Sequence, residues 1–158
     1  MAHPDTENIP RPGRTLPDAA LTGGDGEVVS LSRYRHARNL ILIFLGSASD
    51  LRMNSLILGL KKQYGAIRDA GSEVLVVLPD SAGQAREMSA ALAAPFPILA
   101  DADGQAHDRF GASDGPAAYV ADRFGEIHFA ARSAEGGALP SALDLLGWLN
   151  HIEMLCPE

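Results

Sequence analysis

Sulfur chemistry in this chain of 158 residues depends on a single side chain, because Cys156 is its only cysteine. One thiol cannot close a disulfide within the chain, and it implies no oxidising compartment. Cys156 stands just before the final residues Pro157 and Glu158, so we expect a free thiol in an exposed tail. The alternative is a redox role, in which Cys156 forms a mixed disulfide with a partner or an intermolecular disulfide in a dimer.

Metal-binding patterns are weak in this sequence. The histidines, which are scattered along the whole chain, are His3, His36, His107, His128 and His151. None stands at ligand spacing from the cysteine or from an acidic cluster, and His151 and Glu153 would lie on different faces of a helix. The run 101–104, Asp-Ala-Asp-Gly, begins like a calcium loop but lacks the later acidic ligand, so we interpret it as a turn. The sequence therefore predicts no metal site and no cofactor.

Composition and charge narrow the classes of protein. Hydrophobic residues make up 46% and charged residues 21%, which is typical of a globular domain, and the net charge is −7. An acidic chain repels nucleic-acid phosphates and anionic lipids, so neither nucleic acid nor a membrane is an expected partner. The longest apolar run, 40–45, is far shorter than a membrane helix of roughly 20 residues. Residues 1–14 lack the apolar core of a secretory signal, and we expect a cytoplasmic location.

Hydrophobic periodicity and turn residues divide the chain into alternating elements. Runs 39–45 and 73–78 are apolar without alternation, which is typical of strands buried on both faces. Leu56, Leu60 and Tyr64 form an apolar line that predicts a helix over 51–70. Two hairpins are predicted, one around the turn 22–26 and one that pairs 117–121 with 127–131. Between them we expect a helix over 81–93, an extended segment over 96–100 and a short helix ending near 110. A last helix covers 141–153, and its inward side chains are Leu143, Leu146, Leu149 and Ile152.

The order of these elements predicts an α/β fold. Alternating strands and helices require a parallel central pair joined by right-handed crossovers. The late hairpin adds antiparallel strands, which gives a mixed central sheet with helices on both faces. Residues 1–15 contain Pro4, Pro10 and Pro12, and we interpret them as a flexible N-terminal arm. Residues 16–158 then form one domain.

Five segments of the chain, taken in order, carry a resemblance to a known family. They are Leu16-Pro17-Asp18 with Asp25-Gly26 and Val29-Ser30-Leu31, then 40–44, then 74–81, then 95–101 with Gly104, and last 116–120 followed by 122–127. Their order and spacing resemble the AhpC/TSA (alkyl hydroperoxide reductase/thiol-specific antioxidant) family of the thioredoxin-like superfamily. The resemblance covers residues 16–158 and implies a peroxiredoxin-type three-layer α/β/α sandwich with an N-terminal β-hairpin. It also implies antioxidant thiol chemistry, as a peroxidase or a disulfide oxidoreductase.

The resemblance marks positions for reactive thiols, and none of these positions holds a cysteine. In thioredoxin-like relatives the first active cysteine falls at the position of Ser49 and the second at Arg52. In typical peroxiredoxins the peroxidatic cysteine falls at Met53. The nucleophile is a thiolate whose pKa is lowered by a helix N-terminus, whereas a serine hydroxyl needs a base. We interpret Ser49 as an ordinary loop or N-cap serine, and Met53 as a core-facing or loop residue.

Pro116 occupies a further position that the resemblance marks. Peroxiredoxins carry there an Arg that helps to bind peroxide, and thioredoxin-like relatives carry a cis proline. The resemblance therefore implies a cis peptide between Gly115 and Pro116. The alternative is a proline that starts an edge strand. The positions Ser49, Arg52, Met53 and Pro116 together describe a vestigial site.

Two functions from different classes are compatible with these observations. The first is a non-catalytic binding or accessory module, which keeps the redoxin fold without its thiol chemistry. The second is an antioxidant, peroxiredoxin-like oxidoreductase that uses Cys156, or a cysteine replaced by serine in this version of the sequence. A protein partner or a homodimer is expected by analogy with the family.

Overall fold

The computed structural model of the chain describes residues 9–34, 36–46, 51–133 and 139–155, and within 51–54 it describes the backbone only. The strands are β1 (Ala20–Gly23), β2 (Val28–Ser30), β3 (Asn39–Phe44), β4 (Ser72–Leu78), β5 (Ile98–Ala100), β6 (Ala117–Ala121) and β7 (Ile127–Arg132). The helices are α1 (Leu51–Asp69), α2 (Ala82–Leu92), α3 (Gln105–Arg109) and α4 (Ala142–Leu155), and a 3₁₀ turn covers Leu31–Tyr34. Within these ranges, no helix has the length and apolar character needed to cross a membrane.

The strands form one mixed sheet in the order β2-β1-β5-β4-β3-β6-β7. β3 pairs in parallel with β4, from Asn39 opposite Ser72 to Phe44 opposite Val77, and β4 pairs in parallel with β5. The antiparallel strands β6 and β7 extend one side of this centre, and the β1–β2 hairpin extends the other. The predicted mixed sheet, its parallel centre and its two hairpins are therefore confirmed.

The two central strands are buried along their whole length. Neighbouring side chains of a strand point to opposite faces, so β3 and β4 contribute to two apolar layers. Ile41 and Ile43 belong to the layer beneath α1, α2 and α4. Leu42 and Phe44 belong to the layer shared with α3 and the β1–β2 hairpin. The sheet is thus covered on both faces, as the predicted three-layer sandwich requires.

One prediction for α4 was wrong. Leu149 and Ile152 are buried as predicted, but the side chain of Leu143 is 64% exposed. The reason is the close contact between α1 and α4, because a Cβ atom added to Gly59 would lie 3.0 Å from Cβ of Ala142. This contact turns Ala142 inward, and its neighbour Leu143 is consequently rotated toward solvent.

The segment 9–16 is bound to the turn between β6 and β7. The backbone N–H of Gly13 donates to the carbonyl oxygen of Ile127 at 2.8 Å, and that of Leu16 donates to Gly125 at 2.7 Å. Thr15 forms an isolated bridge with Glu126. Residues 9–15, which the sequence analysis assigned to a flexible arm, are thus held by backbone hydrogen bonds. The domain boundary at residue 16 stays a prediction.

Gly111 combines a positive φ with close packing around its Cα atom. Its φ is +69°, and an added Cβ would lie 2.8 Å from Cδ of Arg132 and 3.1 Å from Cγ2 of Ile9. Gly26 offers a matched comparison, since its φ is +87° but nothing lies within 4 Å of its added Cβ.

We expect Gly111→Ala to lower the free energy of unfolding by about 2–4 kcal/mol, because backbone strain and overlap act together. Gly26→Ala should lower it by about 1 kcal/mol, through backbone strain alone. Urea denaturation of the two variants measures the difference. Equal losses of stability would show that the packing around Gly111 is looser than described.

Candidate functional site

The end of β3 and the start of β6 lie at the same edge of the sheet. Phe44, the last residue of β3, pairs with Ala117, and Ala117 pairs in turn with Arg132 at the end of β7. β3 leads on toward α1, so the beginning of that helix lies at this edge as well. We call the group Phe44, Leu45, Gly46, Pro116 and Ala117 the strand-end corner.

The residues singled out from the sequence fall partly at this corner. Pro116 is buried there, directly before β6. Arg52 and Met53 belong to the first turn of α1, where only the backbone is described. Ser49 and Cys156 lie outside the described residues. The structure therefore places Pro116 beside the end of β3 and the backbone of Arg52 and Met53 in the first turn of α1, and the roles of all five side chains stay predictions.

The predicted cis peptide before Pro116 was wrong. Gly115 and Pro116 are both described, and the described chain contains no cis peptide bond. The carbonyl oxygen of Pro116 accepts a hydrogen bond of 2.9 Å from the backbone N–H of Ser133, which continues the β6–β7 ladder. A trans bond is the lower-energy form for X–Pro and lets the chain run straight into β6. Nor is β6 an edge strand, since it lies between β3 and β7.

A buried pair of titratable side chains, Asp101 and His107, lies beneath the corner. Oδ2 of Asp101 lies 2.7 Å from Nδ1 of His107, and it also accepts the backbone N–H of His107 at 2.7 Å. Oδ1 of Asp101 accepts the backbone N–H of Ala106 at 3.2 Å. On the other side of the ring, Nε2 of His107 lies 2.8 Å from the carbonyl oxygen of Leu45. His107 therefore links α3 to the residue that follows β3.

Both ring nitrogens of His107 face hydrogen-bond acceptors. A carboxylate oxygen faces Nδ1 and a carbonyl oxygen faces Nε2, so each nitrogen must carry a proton to make its bond. Burial raises the pKa of the Asp101 carboxyl, but hydrogen bonds from the ring and backbone of His107 and from Ala106 outweigh burial and keep that pKa below its usual value. Asp101 and His107 thus form a buried hydrogen-bonded pair in which the two residues are only 4% and 3% exposed.

Local sequence explains how Asp101 reaches α3. The backbone N–H of Gly104 donates to the carbonyl oxygen of Asp101 at 2.9 Å, which closes a turn between β5 and α3. Gly104 has a φ of +72°, a conformation in which a residue with a Cβ atom is strained. The turn carries the carboxylate of Asp101 to the N–H groups at the start of α3. The interpretation of 101–104 as a turn is thereby supported.

A cluster of aromatic rings begins at the imidazole of His107. The ring of Phe44 packs edge-on against it at a centroid distance of 5.1 Å and stacks on Phe110 at 4.8 Å. Tyr119 packs against Phe110 at 5.4 Å, and its hydroxyl donates to the carbonyl oxygen of Phe110. These contacts make the α3 side of the corner a rigid apolar wall.

Arg132 is a buried cation near the corner. Its Nη1 donates to the carbonyl oxygen of Pro10 at 2.8 Å and to the hydroxyl of Tyr119 at 3.2 Å. The family resemblance marks position 116 for the Arg of peroxiredoxins, whereas this Arg stands one strand away, in register with Ala117. Its described bonds tie the N-terminal segment to the sheet, which is a structural role.

The strand-end corner is a fixed frame, and within the described residues it holds no thiol. His107 cannot take a proton from a nearby hydroxyl while both of its ring nitrogens donate. The sequence did not predict that His107 is paired, because its partner Leu45 lies 62 residues away along the chain. The local signal was available, since an Asp placed just before a short helix commonly accepts that helix's first N–H groups.

The fold and this corner together define a thioredoxin-like domain of the peroxiredoxin type. The structure resembles Peroxidoxin BcpB from Mycobacterium tuberculosis with a TM-score of 0.79 and 17% identity, covering 90% of this chain and 98% of that chain. It resembles AhpC from Enterococcus faecalis with a TM-score of 0.78 and 19% identity, covering 93% and 95%. A putative thiol:disulfide interchange protein DsbE from Chlorobium tepidum matches with a TM-score of 0.73 and 24% identity, covering 88% and 96%. At these identities the likeness shows the fold alone.

The family follows from the sequence match. Residues 12–130 match the model of the AhpC/TSA family, and the chain therefore belongs to that family. No curated protein matches the chain significantly. The resemblance drawn from the five segments is thus confirmed, and the single cysteine at position 156 is consistent with a family member that lacks the usual catalytic cysteines.

Removing either side chain of the buried pair should destabilise the protein strongly. We expect His107→Ala and Asp101→Asn each to lower the free energy of unfolding by about 3–5 kcal/mol, because each leaves the other group buried without its partner. His151→Ala is the control, since His151 is exposed on α4 and should change stability by no more than about 0.5 kcal/mol. Urea denaturation at neutral pH measures all three, and a loss below about 1 kcal/mol in both pair variants would contradict a buried ion pair.

The contribution of Asp101 should also depend on pH. Because the folded pKa of Asp101 lies below its ordinary value of 3.8, its ionisation stabilises the fold fully above that value. This contribution is lost as the pH falls through the lowered folded pKa. Wild type and Asp101→Asn should therefore differ most at neutral pH and converge in acid. A difference that stays constant down to strongly acidic pH would show that the carboxylate is not the stabilising form.

Proposed function

We propose that this chain is a redoxin-family module without thiol catalysis, which binds a protein partner, or a second copy of itself, in the cytoplasm. The observation that supports this most is the absence of cysteine from positions 1–155. The family's chemistry requires a thiolate, and no other side chain attacks peroxide or disulfide sulfur as readily. Keeping the fold without the nucleophile favours a role in binding.

The position of the end of α4 supports the same proposal. Oε1 of Glu153, near that end, accepts a hydrogen bond of 2.7 Å from Nδ2 of Asn39, the first residue of β3. The strand-end corner lies at the other end of β3, about 17 Å away at a rise of about 3.3 Å per residue. The end of α4 therefore lies at the opposite end of β3 from the strand-end corner, and Cys156 lies outside the described residues. On this ground we propose that Cys156 does not act at the corner of its own chain.

The hydrogen bonds of His107 prevent this histidine from acting as the base that a serine nucleophile would need in place of a thiol. A serine near the corner would need a base to become nucleophilic. Within the described residues, the histidine nearest to the end of β3 is His107, and both of its ring nitrogens bind acceptors. Among the residues that the structure describes, the corner therefore offers neither a thiolate nor a free histidine base.

An antioxidant oxidoreductase that uses Cys156 is the second candidate. The observation that favours it is the exposure of Met154 and Leu155, at 79% and 56%, which leaves the residues before the cysteine open to another molecule. A disulfide with a partner or between two copies would then carry the redox chemistry. This candidate predicts an activity that vanishes with Cys156.

Peroxidase and disulfide-reductase assays separate the two candidates. We expect the wild-type protein to consume hydrogen peroxide and to reduce insulin disulfides no faster than Cys156→Ser, because the family's thiolate is absent. Both proteins should be assayed with excess dithiothreitol and at several protein concentrations, so that a dimer-dependent activity is seen.

Thiol-dependent turnover in wild type that is lost in Cys156→Ser would contradict the proposal and support the second candidate. Multi-angle light scattering of both proteins, with and without reductant, should show the same oligomeric state. A dimer that disappears with reductant or with Cys156→Ser would assign the cysteine to an intermolecular disulfide.

A further inference from the structure

The turn between β6 and β7 gathers three side chains that carry metal-ligating atoms. Asp122, Glu126 and His128 each offer one ligand atom, and these atoms all lie within 4.8 Å of one another. The turn lies at the opposite end of the sheet from the strand-end corner, because Ala121 at the end of β6 pairs with Leu40 near the start of β3. From the sequence no metal site was predicted, because no histidine stands at ligand spacing from the cysteine or from an acidic cluster.

The carboxylate of Asp122 is held in place by the turn itself. Oδ1 accepts the backbone N–H groups of Phe124 at 2.9 Å and of Glu126 at 3.0 Å. Oδ2 is directed at His128, whose Nε2 lies 2.9 Å away. Oδ1 thus fixes the orientation of the carboxylate, and Oδ2 and Nε2 of His128 face each other across a single hydrogen bond.

A β-bulge supplies the histidine. Ala121 pairs with Ile127, whereas Val120 pairs with Phe129, so His128 is an extra residue on β7. Ile127 and Ala130 both pack in the layer shared with α3, and Phe129 packs in the opposite layer. Because His128 is the extra residue of the bulge, its side chain does not follow the regular alternation between the two faces of the sheet. Its ring lies against Asp122 instead.

Glu126 completes the cluster from the exposed side. Its Oε2 lies 3.8 Å from Nε2 of His128, and its side chain is 57% exposed. Tetrahedral ligands at about 2.0–2.2 Å from a metal ion lie about 3.3–3.6 Å from one another. The separations of 2.9 Å and 3.8 Å from Nε2 bracket this range, so small side-chain movements suffice.

We propose that Asp122, Glu126 and His128 bind a first-row divalent transition-metal ion such as Zn²⁺. One imidazole nitrogen with two carboxylate oxygens is a donor set that Zn²⁺ and its neighbours accept, whereas Ca²⁺ and Mg²⁺ prefer oxygen ligands alone. The ion replaces the proton between Nε2 of His128 and Oδ2 of Asp122, and its charge offsets two carboxylates that flank one ring. Since Thr15 bridges to Glu126, the ion also strengthens the attachment of the N-terminal segment.

Calorimetric titration of the full, untagged chain with Zn²⁺ tests the site. We expect one ion per chain, and roughly tenfold weaker binding or none in His128→Gln and in Glu126→Gln, because each removes a ligand. Asp122 is left intact, since its substitution would also break the turn. His151→Ala, His3→Ala and Cys156→Ser are the controls and should bind as wild type does.

Paramagnetic Co²⁺, which accepts the same nitrogen and oxygen ligands as Zn²⁺, locates the ion independently of affinity. In a ¹H–¹⁵N spectrum, the amide signals of Phe124, Glu126 and His128 should broaden first, and this effect should be lost in His128→Gln. The proposal is overturned if Zn²⁺ does not bind at millimolar concentration, or if binding is unchanged in His128→Gln. It is also overturned if binding disappears in Cys156→Ser or His3→Ala, since the ion would then lie elsewhere.

Discussion

Burial of β3 and β4 on both faces is the constraint from which the other features of the molecule follow. Two adjacent parallel strands without a polar face must be covered by helices above and below. The chain meets this requirement with α1, α2 and α4 on one side and with α3 and the β1–β2 hairpin on the other. The same arrangement brings the end of β3, the start of β6 and the first turn of α1 to one edge. The family's reactive corner is a product of this packing and does not require a thiol.

Polar contacts then fix the corner that packing has assembled. His107 joins the carboxylate of Asp101 to the carbonyl oxygen of Leu45, and the aromatic wall around Phe44 excludes water from this pair. In a low-dielectric interior such a pair specifies one arrangement, because breaking it leaves a buried charge or an unpaired carbonyl group.

Sequence reasoning recovered the fold because its signals are local and strong. The unbroken apolar runs of β3 and β4, the helical line through Leu56 and Leu60, and the turns of the two hairpins each predict an element without reference to distant residues. Contacts between elements were less accessible. Leu143 was predicted inward because helical periodicity does not reveal that α1 and α4 approach closely through Gly59 and Ala142. The cis peptide at Pro116 was inferred from family resemblance, and the strand ladder with β7 favours the trans form.

For the candidate site, the sequence predicted only that the cysteines of the family are missing. Missing cysteines can be read from the sequence, whereas the pairing of His107 with Leu45 depends on how β5 and α3 return beneath β3. The cluster around His128 depends on a bulge, which shifts the register of one residue and leaves no mark in the periodicity of a short strand. Both histidines are ordinary in sequence and acquire partners only through tertiary structure.

The protonation of His107 tests the account of the corner most directly. The imidazole ¹⁵N signals of the chain's five histidines can be recorded together, and His107→Gln identifies those of His107. The account predicts that both ring nitrogens of His107 carry a proton, each coupled to a slowly exchanging hydrogen. A signal from one bare ring nitrogen, or rapid exchange of both hydrogens with water, would contradict the buried pair and the frame that depends on it.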